Sequence, residues 1–212
     1  KAVSSKLQTY FRPQQDEDDF TPRVLDDLTD KPVSAKTVSK QKDGATVLAD
    51  NQIGTAYHKV LEDIDFDDKT LINVQNTIKR LVDDGELTQE VAEQLDCNAV
   101  LKVINLDIFS NLQNKKVYRE LPFMLKTSYN NLFDDEKIDE SVFLQGVLDM
   151  LILDGGTATI IDYKYTKSSE AHIKQNYQKQ LNSYAQAVRQ ILKIDKVNKF
   201  VISIKHGKII EF

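Results

Sequence analysis

The sequence has only one cysteine among its 212 residues, and it has no apolar run near the length of about 18 residues that a membrane span needs. The single cysteine, Cys97, excludes an internal disulfide framework and any metal cluster that is ligated by several cysteines. No transmembrane helix is expected, and no secretory signal peptide is visible at the start of the chain. We therefore expect a protein of the reducing cytoplasm without membrane attachment.

Two further absences concern phosphate binding and positive charge. No Gly-x-x-x-x-Gly-Lys-Ser/Thr phosphate loop occurs in the sequence, which argues against an ATP site within this chain. The formal net charge of −5 argues against a broad nucleic-acid-binding surface. Basic residues that cluster in the C-terminal half leave two readings open, a solvated helix face or a local strip that binds DNA. They are Lys164, Lys167, Lys174, Lys179 and Arg189.

The chain divides into a polar N-terminal segment, a helical block and a sheet-forming part. Residues 1–45 hold prolines and an acidic run, and the first residue is Lys1 rather than Met, so we expect a linker to a region outside this chain. Apolar residues recur at spacings of three and four from residue 51 to 112, which predicts helices. Residues 116–212 hold three β-rich runs, a long helix and a last strand, with an acidic loop at 130–140.

The segment GVLDMLILDGGTATIIDYK, residues 146–164, carries charged side chains inside two otherwise apolar, β-rich runs. The Gly-Gly pair at 155–156 predicts a two-residue hairpin turn. Counting back from that turn places Asp149 opposite Asp162, and Lys164 lies two residues further along the same face. The opposite face should be apolar, and its expected members are Leu148, Met150, Ile152, Thr159, Ile161 and Tyr163.

The predicted meeting of two carboxylates in a partly buried place points to a metal ion. Without a cation between them, Asp149 and Asp162 would repel and one of them would take up a proton. Oxygen ligands favour Mg²⁺ or Mn²⁺, which polarise a phosphoryl oxygen and lower the pKa of a bound water. Lys164 could orient that water or stabilise charge on a phosphate. An isolated Asp-x-Lys is usually a solvated ion pair, but the facing aspartate and the apolar flanks favour metal-assisted phosphodiester hydrolysis.

Six short motifs are similar, in the same order, to those of RecB-type nuclease domains of the PD-(D/E)xK superfamily. They are GTAYHKVLEDID, LVDDGELTQEVAEQLD, VYRELPF, GVLDMLI, IIDYKYT and QLNSYAQAV. The resemblance is strongest to the C-terminal nuclease domain of AddA-type (RexA-type) helicase–nuclease proteins, with Tyr165 standing where Thr is usual. It implies a nuclease domain over residues 46–212. The implied fold is α/β and restriction-endonuclease-like, with a mixed central β-sheet flanked by helices and an N-terminal helical insertion.

The resemblance also implies a role for each matching residue. The implied catalytic residues are Asp149, Asp162 and Lys164. The implied ligands of Mg²⁺ or Mn²⁺ are His58, Asp149, Asp162 and the backbone carbonyl of Tyr163. The implied supporting residue is Glu120, and the implied DNA-binding residues are Gln180, Tyr184 and Lys167. Plain structural readings also exist, since a helical histidine often only packs, a strand glutamate can be a surface charge, and two residues four apart on a helix share a face.

By resemblance, the chain would be the nuclease domain of the AddA-type component of an ATP-dependent helicase–nuclease. Such a domain would cut 3′-ended single-stranded DNA during double-strand break processing and recombinational repair, beside an AddB-like (RexB-like) partner. ATP would bind only in a helicase region outside this chain, and an iron–sulfur cluster is excluded because the four cysteines it needs are absent. The alternatives are a catalytically inactive nuclease fold that guides DNA or docks a partner protein, and an RNA- or CRISPR-directed nuclease of the same fold.

Overall fold

The computed structural model describes residues 50–128 and 141–212. The predicted linker over residues 1–45 and the predicted acidic loop at 130–140 lie outside these described residues. Within them, helices come first, three strands follow, and a long helix then leads to two last strands. This order is the one that the sequence predicts.

The N-terminal part is a block of helices that packs on one face of the sheet. Its members are α1 (Asp50–Asp63), α2 (Leu71–Asp83), α3 (Gln89–Ala92) and α4 (Cys97–Ile104), with short 3₁₀ turns at Asp107–Phe109 and Leu112–Asn114. The hydroxyl of Thr88 accepts a hydrogen bond from the Val91 N–H, so it caps α3 as its sequence predicts. Tyr57, Leu61 and Val103 are buried where this block meets the sheet.

Five strands form one mixed sheet in the order β1-β2-β3-β4-β5. They are β1 (Lys116–Ser128), β2 (Ser141–Asp154), β3 (Thr157–Lys164), β4 (Lys196–Ser203) and β5 (Lys208–Glu211). Only β3 and β4 are parallel, and α5 (Glu170–Leu192) makes the crossover between them and covers the second face of the sheet. β1 lies at an edge of the sheet, as its internal Pro122 predicts.

The β2–β3 hairpin turns through Gly155 and Gly156, and both residues have the positive φ that this tight turn requires. Asp154 pairs with Thr157, which confirms the predicted turn. The ladder then runs only as far as Met150 and Ile161, one pair short of the predicted pair of aspartates. The two strands therefore separate where the acidic side chains begin.

Strands β1 and β2 change faces at Glu120 and Asp149, although the ladder keeps one register on both sides of this pair. Met150 and Ile152 pack under the N-terminal helices, whereas Leu148 packs under α5. Glu120 has a φ of 45°, which is left-handed and breaks the extended backbone. The prediction that Leu148 shares a face with Met150 and Ile152 is therefore wrong, because side chains alternate only while the strand stays regular.

Candidate active site

A cleft of about 480 Å³ opens where β1 and β2 change faces, with α1 on one side and α5 on the other. Most of the predicted site residues line this cleft: His58, Glu120, Asp149, Asp162, Lys164, Gln180 and Tyr184. Lys167 is exposed in the segment between β3 and α5, and it is not among the lining residues. The fold therefore brings together residues that are up to 126 positions apart in sequence (58 to 184).

One histidine and two carboxylates converge from three different elements. His58 on α1, Glu120 on β1 and Asp149 on β2 each offer a ligand atom, and these atoms lie within 4.8 Å of one another. His58 Nδ1 is 3.4 Å from Asp149 Oδ2, which also accepts a hydrogen bond of 2.7 Å from the Tyr163 backbone N–H. Because the β2–β3 ladder has already ended, a carboxylate takes the place of a strand carbonyl as partner of this amide.

Asp162 and Lys164 form a buried ion pair on the α5 side of the sheet. Their relative exposures are 3% and 6%, and Lys164 Nζ lies 3.2 Å from Asp162 Oδ2. The same ammonium group lies over the ring of Tyr177, 4.9 Å from its centroid. The ion pair is close but not directed, since no donor in the described residues is aligned to make a hydrogen bond with Asp162 Oδ2. This buried oxygen therefore has capacity for a further positive partner.

The carboxyl groups of the site carry more negative charge than their surroundings balance. Burial raises the pKa of Asp162 to about 6, with attraction by Lys164 and repulsion by Asp149 acting in opposite directions. Burial and the charge of Asp149 raise the pKa of Glu120 to about 7. Burial also acts against the charge of Asp149, but His58 outweighs it and the pKa of Asp149 is lowered. A divalent cation would relieve this repulsion.

Both basic groups are held in their charged forms. Burial works against the charge on Lys164, but Asp162 and Asp149 outweigh it and raise the pKa of the ammonium group. Burial likewise opposes the charge on His58, and Asp149 outweighs it and raises the pKa of the imidazole. Lys164 is therefore a cation that can stabilise negative charge, and it is poorly suited to accept a proton. His58 must lose its proton to ligate a metal.

Gln180 and Tyr184 form one wall of the cleft from α5. Gln180 Nε2 donates a hydrogen bond of 2.9 Å to the Tyr184 hydroxyl, and the Tyr184 ring meets the Phe123 ring edge-on at 5.4 Å. Gly146 leaves room for this ring, because a Cβ at that position would lie 3.1 Å from Tyr184 Cε1. The tyrosine is therefore held firmly by packing, in addition to any contact that its hydroxyl makes with a ligand.

The sequence reasoning missed a polar stripe along α1 that also lines the cleft. Asn51, Thr55 and Glu62 follow the same three- and four-residue spacing as His58, so the helical period could have identified them. Lys59 lines the cleft as well, but its ammonium lies 3.0 Å from Glu62 Oε2 and is largely neutralised. The stripe therefore offers uncharged polar groups at its start and an acidic end near Glu62.

A mixed sheet that brings an aspartate and an Asp-x-Lys strand to one cleft defines a nuclease fold. A model of the PD-(D/E)XK nuclease superfamily matches residues 35–209, and the chain belongs to this superfamily. The match confirms the predicted family and fold class. None of the helices in the described residues is both long enough and apolar enough to cross a membrane.

Several curated relatives share one name, which describes them as the AddA-type component of an ATP-dependent helicase/nuclease. The protein from Ligilactobacillus salivarius is 34% identical over 163 residues, which are 74% of this chain and 13% of the relative. The Bacillus mycoides protein is 30% identical over 176 residues, 76% of this chain and 14% of the relative. The Clostridium acetobutylicum protein is 26% identical over 199 residues, 88% of this chain and 15% of the relative. The chain therefore spans only a small part of the length of these relatives.

Proposed function

We propose that this chain is a metal-dependent deoxyribonuclease domain that hydrolyses phosphodiester bonds in single-stranded DNA. The observation that carries the proposal is the convergence of His58, Glu120 and Asp149 beside the Asp162–Lys164 ion pair. The relatives are named as ATP-dependent helicase/nuclease proteins, which supports a domain that works beside an ATP-driven motor outside this chain. The 3′-ended strand, the repair role and an AddB-like partner belong to the proposal through the family resemblance.

The donor set fits a divalent cation. Carboxylates suit Mg²⁺ and Mn²⁺, and the imidazole of His58 favours Mn²⁺. His58, Glu120 and Asp149 would hold the ion, and Asp162 and the Tyr163 carbonyl would join them by the family resemblance. The unpartnered Asp162 Oδ2 and the raised pKa values of Glu120 and Asp162 support this assignment. When bound, such an ion would polarise a phosphoryl oxygen and acidify a water.

The side chains themselves are arranged to act on a phosphate without large rearrangement. The hydrogen bond from the Tyr163 amide fixes the Asp149 carboxylate, so part of the site is preorganised. Lys164 would neutralise the negative charge that develops on the phosphoryl oxygens. Gln180 and Tyr184 would lie along the sugar-phosphate backbone of the strand. Because only this cleft needs to contact DNA, a net charge of −5 is compatible with the activity.

The test is incubation of the purified chain with end-labelled single-stranded DNA in Mg²⁺, Mn²⁺ or EDTA. We expect hydrolysis in either metal and none in EDTA. Asp162→Asn and Asp149→Asn should abolish hydrolysis while circular dichroism shows an intact fold. Asp195→Asn, which changes an exposed aspartate outside the cleft, is the matched control and should cleave like the wild type.

Two substrate comparisons extend this test to the finer parts of the proposal. A linear strand that is cut while a circular strand survives would indicate an exonuclease, and labels at the 3′ and 5′ ends would report the polarity. DNA binding without hydrolysis in every metal would contradict the proposal and would favour an inactive fold that guides DNA.

A further inference from the structure

Arg119 links the helix that carries His58 to the strand that carries Glu120. Its Nη1 donates hydrogen bonds to the backbone carbonyls of Glu62 at 2.6 Å and Ile64 at 2.7 Å. These carbonyls lie at the C-terminal end of α1, where backbone acceptors have no partner within the helix and where a cation interacts favourably with the helix dipole. The side chain therefore joins β1 to α1 through backbone atoms.

The guanidinium group of Arg119 is also fixed by aromatic packing. Its central carbon lies 4.8 Å from the centroid of the Phe66 ring, which is 2% exposed and packs against the Phe109 ring at 4.4 Å. A planar guanidinium that is stacked and doubly hydrogen-bonded has little freedom to move. Arg119 does not line the active-site cleft, so it cannot contact a substrate held there.

The position of this link suggests an effect on the metal site. His58 lies about one helical turn before Glu62, so fixing the end of α1 also fixes the height and rotation of the imidazole. Glu120 directly follows Arg119 at the point where the strand changes faces. We propose that Arg119 is a positioning residue that sets His58 relative to Glu120 and Asp149, and thereby sets the affinity for the divalent ion. This inference rests on the metal site of the proposed function.

Arg80 provides a matched control for this inference. Its Nη1 lies 2.7 Å from Asp63 Oδ2, so it also joins a neighbouring element, α2, to the C-terminal end of α1. It differs from Arg119 because its side chain is 50% exposed and it contacts a side chain rather than backbone carbonyls. A general loosening of α1 should affect both arginines, whereas positioning of His58 against β1 should depend on Arg119.

The experiment measures Mn²⁺ binding to the metal-free chain by calorimetry, together with thermal unfolding. We expect Arg119→Met to weaken Mn²⁺ binding by roughly 10- to 100-fold, the range typical of residues that orient metal ligands. Arg80→Met should stay within about two-fold of the wild type, since an exposed ion pair contributes little. Arg119→Lys can keep only one of the two carbonyl contacts and should give an intermediate loss.

A double-mutant cycle tests whether the effect passes through His58. In a His58→Ala background, Arg119→Met should weaken Mn²⁺ binding much less than it does in the wild type. An equal loss in both backgrounds, or folded Arg119 variants with unchanged Mn²⁺ affinity, would overturn the inference alone. If Arg119→Met does not fold, Arg119→Lys carries the same comparison. A wild-type chain that binds no divalent ion would overturn the proposed function and this inference together.

Discussion

Replacing Glu120 by glutamine should make the metal-free protein more stable than the wild type above neutral pH. Burial and the nearby charge of Asp149 raise the pKa of Glu120 from 4.5 to about 7. A raised carboxyl pKa means that the folded state holds the proton more tightly than the unfolded state does. This contribution to stability is full below 4.5 and is lost as the pH rises through about 7. Glutamine keeps the shape of the side chain but cannot ionise.

The size of the effect follows from the same pKa difference. A rise from 4.5 to about 7 corresponds to roughly 3 kcal/mol at about 1.36 kcal/mol per pKa unit. Because Glu120 is only half-buried, solvent screening reduces the expected gain to about 1–2 kcal/mol. Urea unfolding in EDTA should therefore give similar free energies for wild type and Glu120→Gln near pH 4, with a difference that grows between about pH 4.5 and 7.

Metal and a control variant complete this experiment. Adding Mn²⁺ should reverse the order of stability, because the wild type gains binding free energy and the variant has lost one carboxylate ligand. Glu211→Gln changes an exposed strand glutamate and should leave the stability unchanged at every pH. A Glu120→Gln protein that is less stable than wild type at about pH 8 in EDTA would refute the reasoning, and so would a difference that does not depend on pH.

Three other substitutions test the packing and charge of the cleft. Lys164→Met should abolish DNA hydrolysis in the gel assay and lower the free energy of urea unfolding by about 3–5 kcal/mol, since buried Asp162 loses its cation; adding Asp162→Asn should restore stability without activity. Gly146→Ala should lower the thermally measured stability by about 1–3 kcal/mol, because the new Cβ crowds Tyr184. Tyr165→Thr should cost about 1 kcal/mol in urea unfolding through its lost ring contact, with hydrolysis retained.

The features that the sequence predicts well are set by residues close together in the chain. The Gly155-Gly156 turn fixes the register of the β2–β3 hairpin, and Thr88 caps α3 because its hydroxyl reaches an amide three residues on. The conjunction of Asp149 with the Asp162-x-Lys164 strand depends on the same turn. Local turn and capping chemistry therefore brings the catalytic motif close to its final arrangement before any long-range contact is known.

The change of faces at Glu120 is not visible in the sequence because nothing local demands it. A left-handed φ is typical of glycine, and the segment VYRELPF contains none. The contacts of the preceding residue, Arg119, reach carbonyls 55 and 57 residues away in sequence, and the alternation of apolar residues in β1 gives no sign of them. For the same reason the sequence places Leu148 on the wrong face, although the pairing of β2 with β3 is predicted correctly.

The irregular backbone at Glu120 explains why one cleft can receive groups from both layers of helices. If β1 and β2 had stayed regular, Glu120 and Asp149 would have been buried under a single layer, away from the other. At the change of faces they lie between the layers, where His58 reaches them from α1 and Lys164 approaches from the α5 side. A left-handed non-glycine residue costs on the order of 1–3 kcal/mol, and it persists only where its surroundings fix it. The strained pair is therefore a condition for the site, because regular pairing would separate the ligands from the lysine.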